Sequence, residues 1–158
     1  MKKIPKRRRI EAKTDYRARL ALLKSGKPRL IIRKTNRYII AQIVESSIAQ
    51  DKVIIHGTSK DLLAKGWPQE LRGSLKSLPA AYILGLMIGR RASSKVKEAV
   101  LDIGMHRNVK NSRIYAVLKG VLDAGLSVPH SKDSLPSIEF ISSNRKLSNL
   151  IDKLKDKV

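Results

Sequence analysis

Residues 30–45 read LIIRKTNRYIIAQIVE, which are two apolar, β-branched segments separated by a short polar loop. LIIRK (30–34) and YIIAQIVE (38–45) predict strands, and the loop at 35–37 is short enough for a hairpin. A third strand-like segment, KVIIH, follows at 52–56. Because both faces of the second strand are largely apolar, we expect that strand to be central and covered rather than at an edge. The pattern predicts a three-stranded meander.

A buried helix is expected after this meander. Residues 57–78 are broken by glycine and proline and predict a loop with at most short helical turns. Pro79 suits the first turn of a helix that runs to Gly89 and then turns basic. This helix is apolar nearly all round, so we expect it to be packed deeply. Gly85 and Gly89, four residues apart, predict close packing of the helix on the sheet.

A strand and a second helix complete the predicted core. EAVLDI at 98–103 predicts a fourth strand that ends at Gly104. Apolar residues at helical spacing from 114 to 122 predict a helix that Gly125 stops. A helix between two strands requires a crossover, and hence a parallel pairing. The fold class is therefore predicted as α/β, a mixed β-sheet with helices packed on it.

Two extensions flank the core, which we place at 29–128. Residues 1–28 form a basic N-terminal arm, in which residues 1–9 are expected to be disordered in the free protein because they carry few apolar groups. A helix capped by Thr14 is expected to run to Leu23. Residues 129–158 form a C-terminal extension, with a last helix starting near Ser142 or Ser143. The apolar stripe of that helix is predicted to be Leu147, Leu150, Ile151 and Leu154.

Positive charge is concentrated in the first 38 residues. They hold 15 of the 34 Lys and Arg residues and two of the 13 acids, in a chain of formal net charge +21. Such a field requires a polyanion nearby. Only two aromatic residues lie in this stretch, so phosphate contact by Lys and Arg explains it better than base stacking. The charge pattern predicts a folded domain that a basic arm clamps to structured nucleic acid.

The candidate RNA-binding residues lie in the arm, around the hairpin loop and in the loop before the second core helix. Asn36 and Tyr38 are included for hydrogen bonding or stacking near the hairpin, and the others are basic. They are Lys6, Arg7, Arg8, Arg9, Lys13, Arg17, Arg19, Lys24, Lys27, Arg29, Arg33, Lys34, Asn36, Arg37, Tyr38, Arg107, Lys110 and Arg113. An ordinary solvent-exposed surface would explain the charges of Arg107, Lys110 and Arg113 by themselves, but it would not explain the charge of the arm.

No enzyme class finds support in the residues. Cysteine is absent, which fits a reducing cytoplasm, and the three histidines lack metal-ligand spacing, so no cofactor or metal is expected. Phosphate-loop and dinucleotide motifs are missing, and the acids are scattered rather than clustered for metal binding. Asp102, at the end of the fourth strand, is expected to hold the following loop or to pair with Arg107.

Three rival interpretations of the basic charge remain open. The first is a nucleic-acid-processing enzyme, such as a nuclease on an α/β core, and the second is a general DNA- or RNA-compacting protein. The third is a role at a membrane surface, because Lys and Arg clusters bind anionic lipid. The longest apolar run, 78–89, is too short to cross a bilayer, and no secretory signal follows the N-terminal charges. We therefore expect neither a membrane partner nor a small-molecule substrate.

Three stretches carry a resemblance to a known family. They are TDYRARLALLKSGKPRLIIRKTNRYIIAQIV, then GWPQEL with LPAAYILGLMIGRRA, and then LDIGMHRNVKNSRIYAVLKGVLDAGLSVPHS. In this order they resemble the uL18 family of large-subunit ribosomal proteins, in its archaeal form, over most of residues 14–131. SGKPRLIIRKTNRYI and AVLKGVLDAGL are the most specific parts.

The resemblance implies a cytoplasmic, non-catalytic structural protein of the large ribosomal subunit. It implies binding to 5S rRNA in the central protuberance, with 23S rRNA and the ribosomal protein of the L-five family as neighbours. It also implies RNA contact by the arm, by residues 33–38 and by the loop at 107–113, which are the sets that charge alone identifies.

Overall fold

A four-stranded mixed sheet lies at the centre of the computed structural model, which describes residues 4–48, 50–143, 151 and 153–155. Its strands are β1 (Arg29–Lys34), β2 (Ile39–Ser47), β3 (Gln50–Thr58) and β4 (Val100–Asp102), in the order β3-β2-β1-β4. β1 pairs antiparallel with β2 and parallel with β4, and β2 pairs antiparallel with β3. The predicted meander, parallel pairing and α/β class are confirmed.

The second strand is internal, as predicted, but its two faces are covered unequally. Ile39, Ala41 and Ile43 are at most 1% exposed on the face that carries the core, whereas Ile40 and Gln42 on the other face are half-buried. β4 is shorter than the predicted strand at 98–103. Before it, a single parallel bridge joins Glu98 to Ser127.

Two helices cover the core face of the sheet: α3 (Leu78–Ala92) and α4 (Arg113–Asp123). Ser77 caps α3 by accepting a hydrogen bond from the Ala80 N–H, and Pro79 sits in the first turn. Twelve of the fifteen residues of α3 are buried. The helix is surrounded because it packs on the sheet, on α4 and on a second apolar cluster around Trp67. The segment between β3 and α3 holds two 3-10 turns, Ser59–Leu63 and Gln69–Ser74, as expected.

The glycines of α3 face α4 and not the sheet, so the prediction of helix-to-sheet packing was wrong for them. A Cβ on Gly85 would overlap the backbone carbonyl oxygen of Val117 and lie 3.0 Å from the Gly120 Cα. A Cβ on Gly120 would in turn overlap the carbonyl oxygen of Tyr82. The two helices therefore touch backbone to backbone, which only residues without a side chain allow.

The N-terminal arm contains two helices, α1 (Arg7–Ile10) and α2 (Tyr16–Lys24). The single turn of α1 was not expected, and all of its residues are exposed. Asp15, and not Thr14, caps α2, because its Oδ1 accepts from the N–H groups of Arg17 (2.9 Å) and Ala18 (3.1 Å). That correction moves the start of the helix to Tyr16.

The C-terminal extension contains a 3-10 turn (Lys132–Ser134) and then a short helix, α5 (Ile138–Ser142), capped by Ser137. This short helix precedes the last helix expected from the sequence, and residues 144–150, which follow the predicted start near Ser142 or Ser143, lie outside the described ranges. Of the predicted apolar stripe, Ile151 and Leu154 are buried in the cluster around Trp67, while Leu147 and Leu150 lie outside the described residues. No helix within the described part of the chain is long and apolar enough to span a membrane.

Candidate RNA interface

The two basic loops predicted from the sequence meet at one edge of the sheet. β1 and β4 are parallel, so their carboxyl ends lie side by side, and the hairpin loop (35–38) and the β4–α4 loop (103–112) both begin there. The backbone N–H of Lys34 donates to Nε2 of His106 over 3.1 Å and joins the loops directly. We call the exposed residues of these loops, Asn36, Arg37, Arg107 and Lys110, together with Lys34, the sheet-edge surface.

His106 acts as the hydrogen-bond acceptor between the loops. Burial, with the neighbouring charges of Arg33 and Lys34, lowers the pKa of His106. A lower pKa favours the neutral ring, whose Nε2 lone pair is then free to accept from Lys34. His106 therefore has a structural role at the junction of the two loops.

The hairpin loop is closed by its own hydrogen bonds. Thr35 Oγ1 accepts from the Tyr38 N–H (3.0 Å) and donates to the Tyr38 carbonyl oxygen (2.8 Å), which also accepts from the Thr35 N–H (2.9 Å). Lys76, from outside the hairpin, donates to the Asn36 carbonyl oxygen at 2.9 Å. The backbone is fixed, and Asn36 and Arg37 project from it into solvent.

The β4–α4 loop is likewise held at several points. Gly104 N–H donates to Asp102 Oδ1 (2.9 Å), and the Tyr115 hydroxyl donates to Asn108 Oδ1 (2.6 Å). Further along, the Asn111 N–H donates to the Ser134 carbonyl oxygen over 3.1 Å. Arg107 and Lys110 are exposed on this framework, and Arg113 at the start of α4 is half-buried.

Arg29 and Arg33 hold the fold together beneath this surface. Arg29 is 1% exposed, and its Nη1 donates to Asp102 Oδ2 (3.0 Å) while Nη2 donates to Asp51 Oδ1 (2.7 Å) and Ser46 Oγ (2.9 Å). Arg33 Nη2 donates to Asp102 Oδ1 over 2.7 Å. A guanidinium group that is buried and paired in this way is not accessible to a phosphate. We therefore remove Arg29 from the candidate RNA-binding residues.

Arg33 is also engaged, although its side chain is 36% exposed. Its Nη1 donates to the carbonyl oxygens of Ile32 (2.9 Å) and Asp102 (2.6 Å). The expected pairing of Asp102 with Arg107 was wrong, because Arg29 and Arg33 occupy both carboxylate oxygens. The expectation that Asp102 holds the following loop is confirmed by its bond to Gly104.

The Asp51 carboxylate predicts a pH dependence of stability. Burial raises the pKa of Asp51, but hydrogen bonds from Ser46, Arg19 and Arg29 outweigh that effect and lower the pKa from 3.8 to about 2. A depressed pKa contributes stability above the unfolded value, and this is lost as the pH falls through the folded value. We expect the stability difference between the wild type and Asp51→Asn, measured by urea unfolding, to shrink between about pH 4 and pH 2. A difference that stays constant with pH would contradict this.

The arm keeps most of its cations exposed beside the sheet-edge surface. Arg8, Lys13 and Arg33 line a cleft of about 610 Å³ together with Gly104 and His106, so the arm and the β4–α4 loop are neighbours. Six further basic residues in the described part of the arm are exposed: Lys6, Arg7, Arg9, Arg17, Lys24 and Lys27.

Some of the arm's cations have partners within the chain. Lys27 pairs with Glu98 (2.8 Å), Arg19 with Asp51 (2.9 Å) and Lys13 with Glu11 (2.9 Å). Lys6 Nζ lies 4.6 Å from the centre of the Tyr16 ring. Exposed pairs of this kind contribute about 0–1 kcal/mol to the stability of the fold, so a phosphate can replace the protein partner at little cost in free energy. Arg19 is the exception, because Asp51 also neutralises Arg29.

An exposed basic surface on a fixed α/β framework is typical of the class of nucleic-acid-binding proteins. Within the ranges that the structure describes, no three His, Asp or Glu residues are grouped to hold a metal ion. The geometry provides hydrogen-bond donors and positive charge, which suit phosphate recognition.

Comparison with known proteins identifies the family. A family model described as "Ribosomal large subunit proteins 60S L5, and 50S L18" matches residues 2–99 and 93–131. A protein named large ribosomal subunit protein uL18 from Korarchaeum cryptofilum is 48% identical over 155 residues, which are 98% of this chain and 77% of that relative. Proteins of the same name from Caldivirga maquilingensis and Aeropyrum pernix are both 47% identical, over 85% and 88% of this chain. The chain spans 64% of the length of each of these two.

The chain belongs to the uL18 family of large-subunit ribosomal proteins. The family assigns it a structural role in the large ribosomal subunit, in the cytoplasm, with rRNA as its ligand. Proteins of this family are structural components and not enzymes, so the non-enzymatic interpretation is confirmed.

Two features of the site were not anticipated from the sequence. Lys76 contacts the hairpin loop from the segment before α3, which was interpreted only as a broken loop. Phe140, the single phenylalanine, lines a cleft with Met105 and Val109 beside the sheet-edge surface. A lone aromatic residue between Glu139 and Ile141 was the only available signal for Phe140. Its position relative to a loop about 30 residues earlier depends on the tertiary fold.

Proposed function

We propose that this protein binds 5S rRNA and helps to attach it to 23S rRNA in the central protuberance of the large subunit. Its protein neighbour there would be the ribosomal protein of the L-five family. The sheet-edge surface would recognise the shape of folded 5S rRNA, and the arm would neutralise phosphates along it. This proposal gives separate tasks to the two basic regions.

The observation that carries the proposal is the convergence of the two loops at one edge of the sheet. Residues about 70 positions apart are joined there by the hydrogen bond from Lys34 to His106, and each loop is fixed by further hydrogen bonds. Cations at fixed positions can match a particular arrangement of phosphates, which an unfolded chain cannot do. The shallow minor groove and the backbone of helical RNA are recognised mainly through such contacts.

The arm supports affinity more than selectivity. If about seven of its cations meet phosphates, log K should fall with log salt at a slope of roughly −5 to −6. Replacing Arg7, Arg8 and Arg9 with alanine should weaken binding to every RNA and flatten that slope by about two to three. Filter binding of 5S rRNA and of an unrelated duplex across a salt series measures both. An unchanged slope would show that these residues do not contact phosphate.

The sheet-edge surface should provide the selectivity. The double variant Arg37→Ala, Lys110→Ala leaves the buried network intact, because both residues are exposed. We expect it to lower the preference for 5S rRNA over the unrelated duplex by about tenfold or more, since a hydrogen bond to a charged group contributes about 1.5–3 kcal/mol. The ratio of the two dissociation constants at one salt concentration is the measured quantity.

A matched control exists at the other end of α3. Arg91 and Lys95 are exposed and carry the same total charge, but α3 is about 22 Å long and its first residue follows the segment that contacts the hairpin. Arg91→Ala, Lys95→Ala should leave the preference for 5S rRNA within about threefold of wild type, a loss equivalent to about 0.6 kcal/mol. Equal losses of preference in the two double variants would contradict the proposed interface, because net charge alone would then explain binding.

A further inference from the structure

A cleft of about 590 Å³ opens between the end of β1, the β4–α4 loop with the start of α4, and α5. Its lining includes Lys34 from the end of β1, Met105 and Val109 from the β4–α4 loop, and Phe140 from α5. The volume lies within the range of small-ligand pockets in proteins. Because α5 belongs to the C-terminal extension, the cleft exists only when that extension is docked against the core.

The charges around the cleft are all positive. Lys34, Arg107 and Arg113 line it, and none of their side chains forms an ion pair with another described residue. No Asp or Glu is among the residues that line it, and the first turn of α4, which begins there, carries no acid. Three unpaired cations around one opening call for an anionic occupant.

Part of the cleft wall is apolar. Met105, Val109 and Phe140 are 55%, 54% and 47% exposed, which is unusual for three large apolar side chains that share one cleft. A phosphate group gains nothing from contact with apolar side chains, whereas a flat aromatic group packs against them. A nucleotide has the two properties that suit this cleft, a flat base for the apolar wall and a negatively charged phosphate for the cations.

Polar groups that lack partners lie on the same lining. Ser112 Oγ is buried and forms no hydrogen bond within the described part of the chain, although Ser112 occupies the N-cap position of α4. Asn111 adopts the left-handed conformation (φ 55°), and its backbone N–H, but no side-chain atom, has a hydrogen-bond partner among the described residues. A hydroxyl and a carboxamide are the groups that read the edge of a base.

We infer that this cleft binds a single unpaired nucleotide of an RNA, with its base against Phe140 and Met105 and its phosphate near Lys34, Arg107 and Arg113. A paired base is stacked inside a helix and cannot enter a cleft, so the nucleotide must be bulged or in a loop. The inference deepens the proposed function, because the nucleotide would belong to the RNA bound at the sheet-edge surface. It adds base stacking to a surface that charge alone would describe as phosphate-binding.

The test uses the full chain and three short RNA hairpins that do not depend on 5S rRNA. One hairpin is fully paired, one carries a single bulged adenosine, and one carries an abasic residue at the bulge. We expect the wild type to bind the adenosine bulge about fivefold to a hundredfold more tightly than the other two, the range that base–aromatic stacking supplies. Phe140→Ala should abolish that preference without changing the salt slope, and Phe140→Trp should retain it.

Ile138→Ala is the matched control, since Ile138 is 49% exposed in the same short helix and does not line the cleft. It should leave the preference for the bulge unchanged. If the wild type binds all three hairpins equally, or if Phe140→Ala weakens all three alike, the nucleotide assignment is overturned. It is also overturned if an oligoglutamate peptide binds the wild type but not Phe140→Ala while the hairpins are not distinguished, because the cleft would then accept an acidic protein segment.

The same panel separates this inference from the proposed function. A preference for 5S rRNA over an unrelated duplex tests the proposed function, and the bulged hairpin tests the cleft. If the protein prefers the bulged hairpin but not 5S rRNA, the cleft binds an unpaired nucleotide and the protein has a different RNA target. If it prefers 5S rRNA but not the bulged hairpin, the proposed function stands and the cleft has no part in it.

Discussion

Replacing Asp102 with asparagine is expected to lower the free energy of unfolding by about 3–5 kcal/mol, because it removes the shared carboxylate of a buried ion-pair network. Asp102 accepts from Arg29 through Oδ2 and from Arg33 through Oδ1, and Arg29 is 1% exposed. The asparagine side chain has one acceptor oxygen and one NH₂ donor group in place of the two carboxylate oxygens. The guanidinium of either Arg29 or Arg33 would therefore lie against a hydrogen-bond donor. Asp51 still neutralises part of the charge of Arg29, which argues for the lower half of that range.

Thermal and urea unfolding measure this effect. For a chain of 158 residues, 3 kcal/mol corresponds to a fall in melting temperature of about 6–12 °C. Asp133→Asn, a substitution of an exposed aspartate on the C-terminal extension, makes the same charge change and should shift stability by less than about 0.5 kcal/mol. A small effect in both variants would show that the network contributes little to holding β1 and β4 together.

The variant should also affect RNA selectivity if it folds. Asp102 fixes Gly104 at the start of the β4–α4 loop, and Arg33 contacts the same turn. A looser loop would present Arg107 and Lys110 over a wider range of positions. The expected pattern is a reduced preference for 5S rRNA at temperatures where the variant is still folded, with little change in the salt slope.

Gly85→Ala is expected to destabilise the protein by about 2–4 kcal/mol. The added Cβ would overlap the Val117 carbonyl oxygen and approach the Gly120 Cα to 3.0 Å, so α3 and α4 would have to separate. Overpacking of this kind costs typically 1–3 kcal/mol, and more where the obstacle is backbone that cannot change rotamer. Alanine is intrinsically the better helix former by about 0.5–1 kcal/mol, but that gain is smaller than the steric cost.

Gly73→Ala is the matched control for this substitution. Gly73 lies in a 3-10 turn, where a Cβ would meet nothing within 4 Å. We expect its stability to stay within about 0.5 kcal/mol of wild type. Equal urea midpoints for Gly85→Ala and Gly73→Ala would rule out the close crossing of α3 and α4.

The elements of the core were predictable because their signals are local. Alternating and continuous apolar segments gave β1, β2 and β3, and the 3.6-residue period together with Pro79 gave α3. The parallel position of β4 followed from chain order, since a helix must cross between the two strands. Boundaries were less predictable where two capping residues compete, as Thr14 and Asp15 do.

The orientation of the glycines shows what local patterns cannot decide. Gly85 and Gly89 indicate a close approach, and the spacing of four is visible in the sequence. Which element approaches them depends on the rotation of α3 about its axis, and that is set by packing on the sheet, on α4 and on the Trp67 cluster together. A helix that is apolar all round carries no sequence signal for that rotation.

The amino-acid sequence by itself determined that the chain has an α/β core, that it carries a strongly basic arm and that it needs a polyanionic partner, because propensity, periodicity and net charge are properties of the chain alone. Only the tertiary structure separated Arg29, enclosed between two carboxylates, from Arg37, which is exposed a few residues later. The physical reason is that the free energy of a charged side chain depends on burial and on partners such as Asp102, 73 residues away. Those are settled only when β1 and β4 pair and bring their loops to one edge of the sheet.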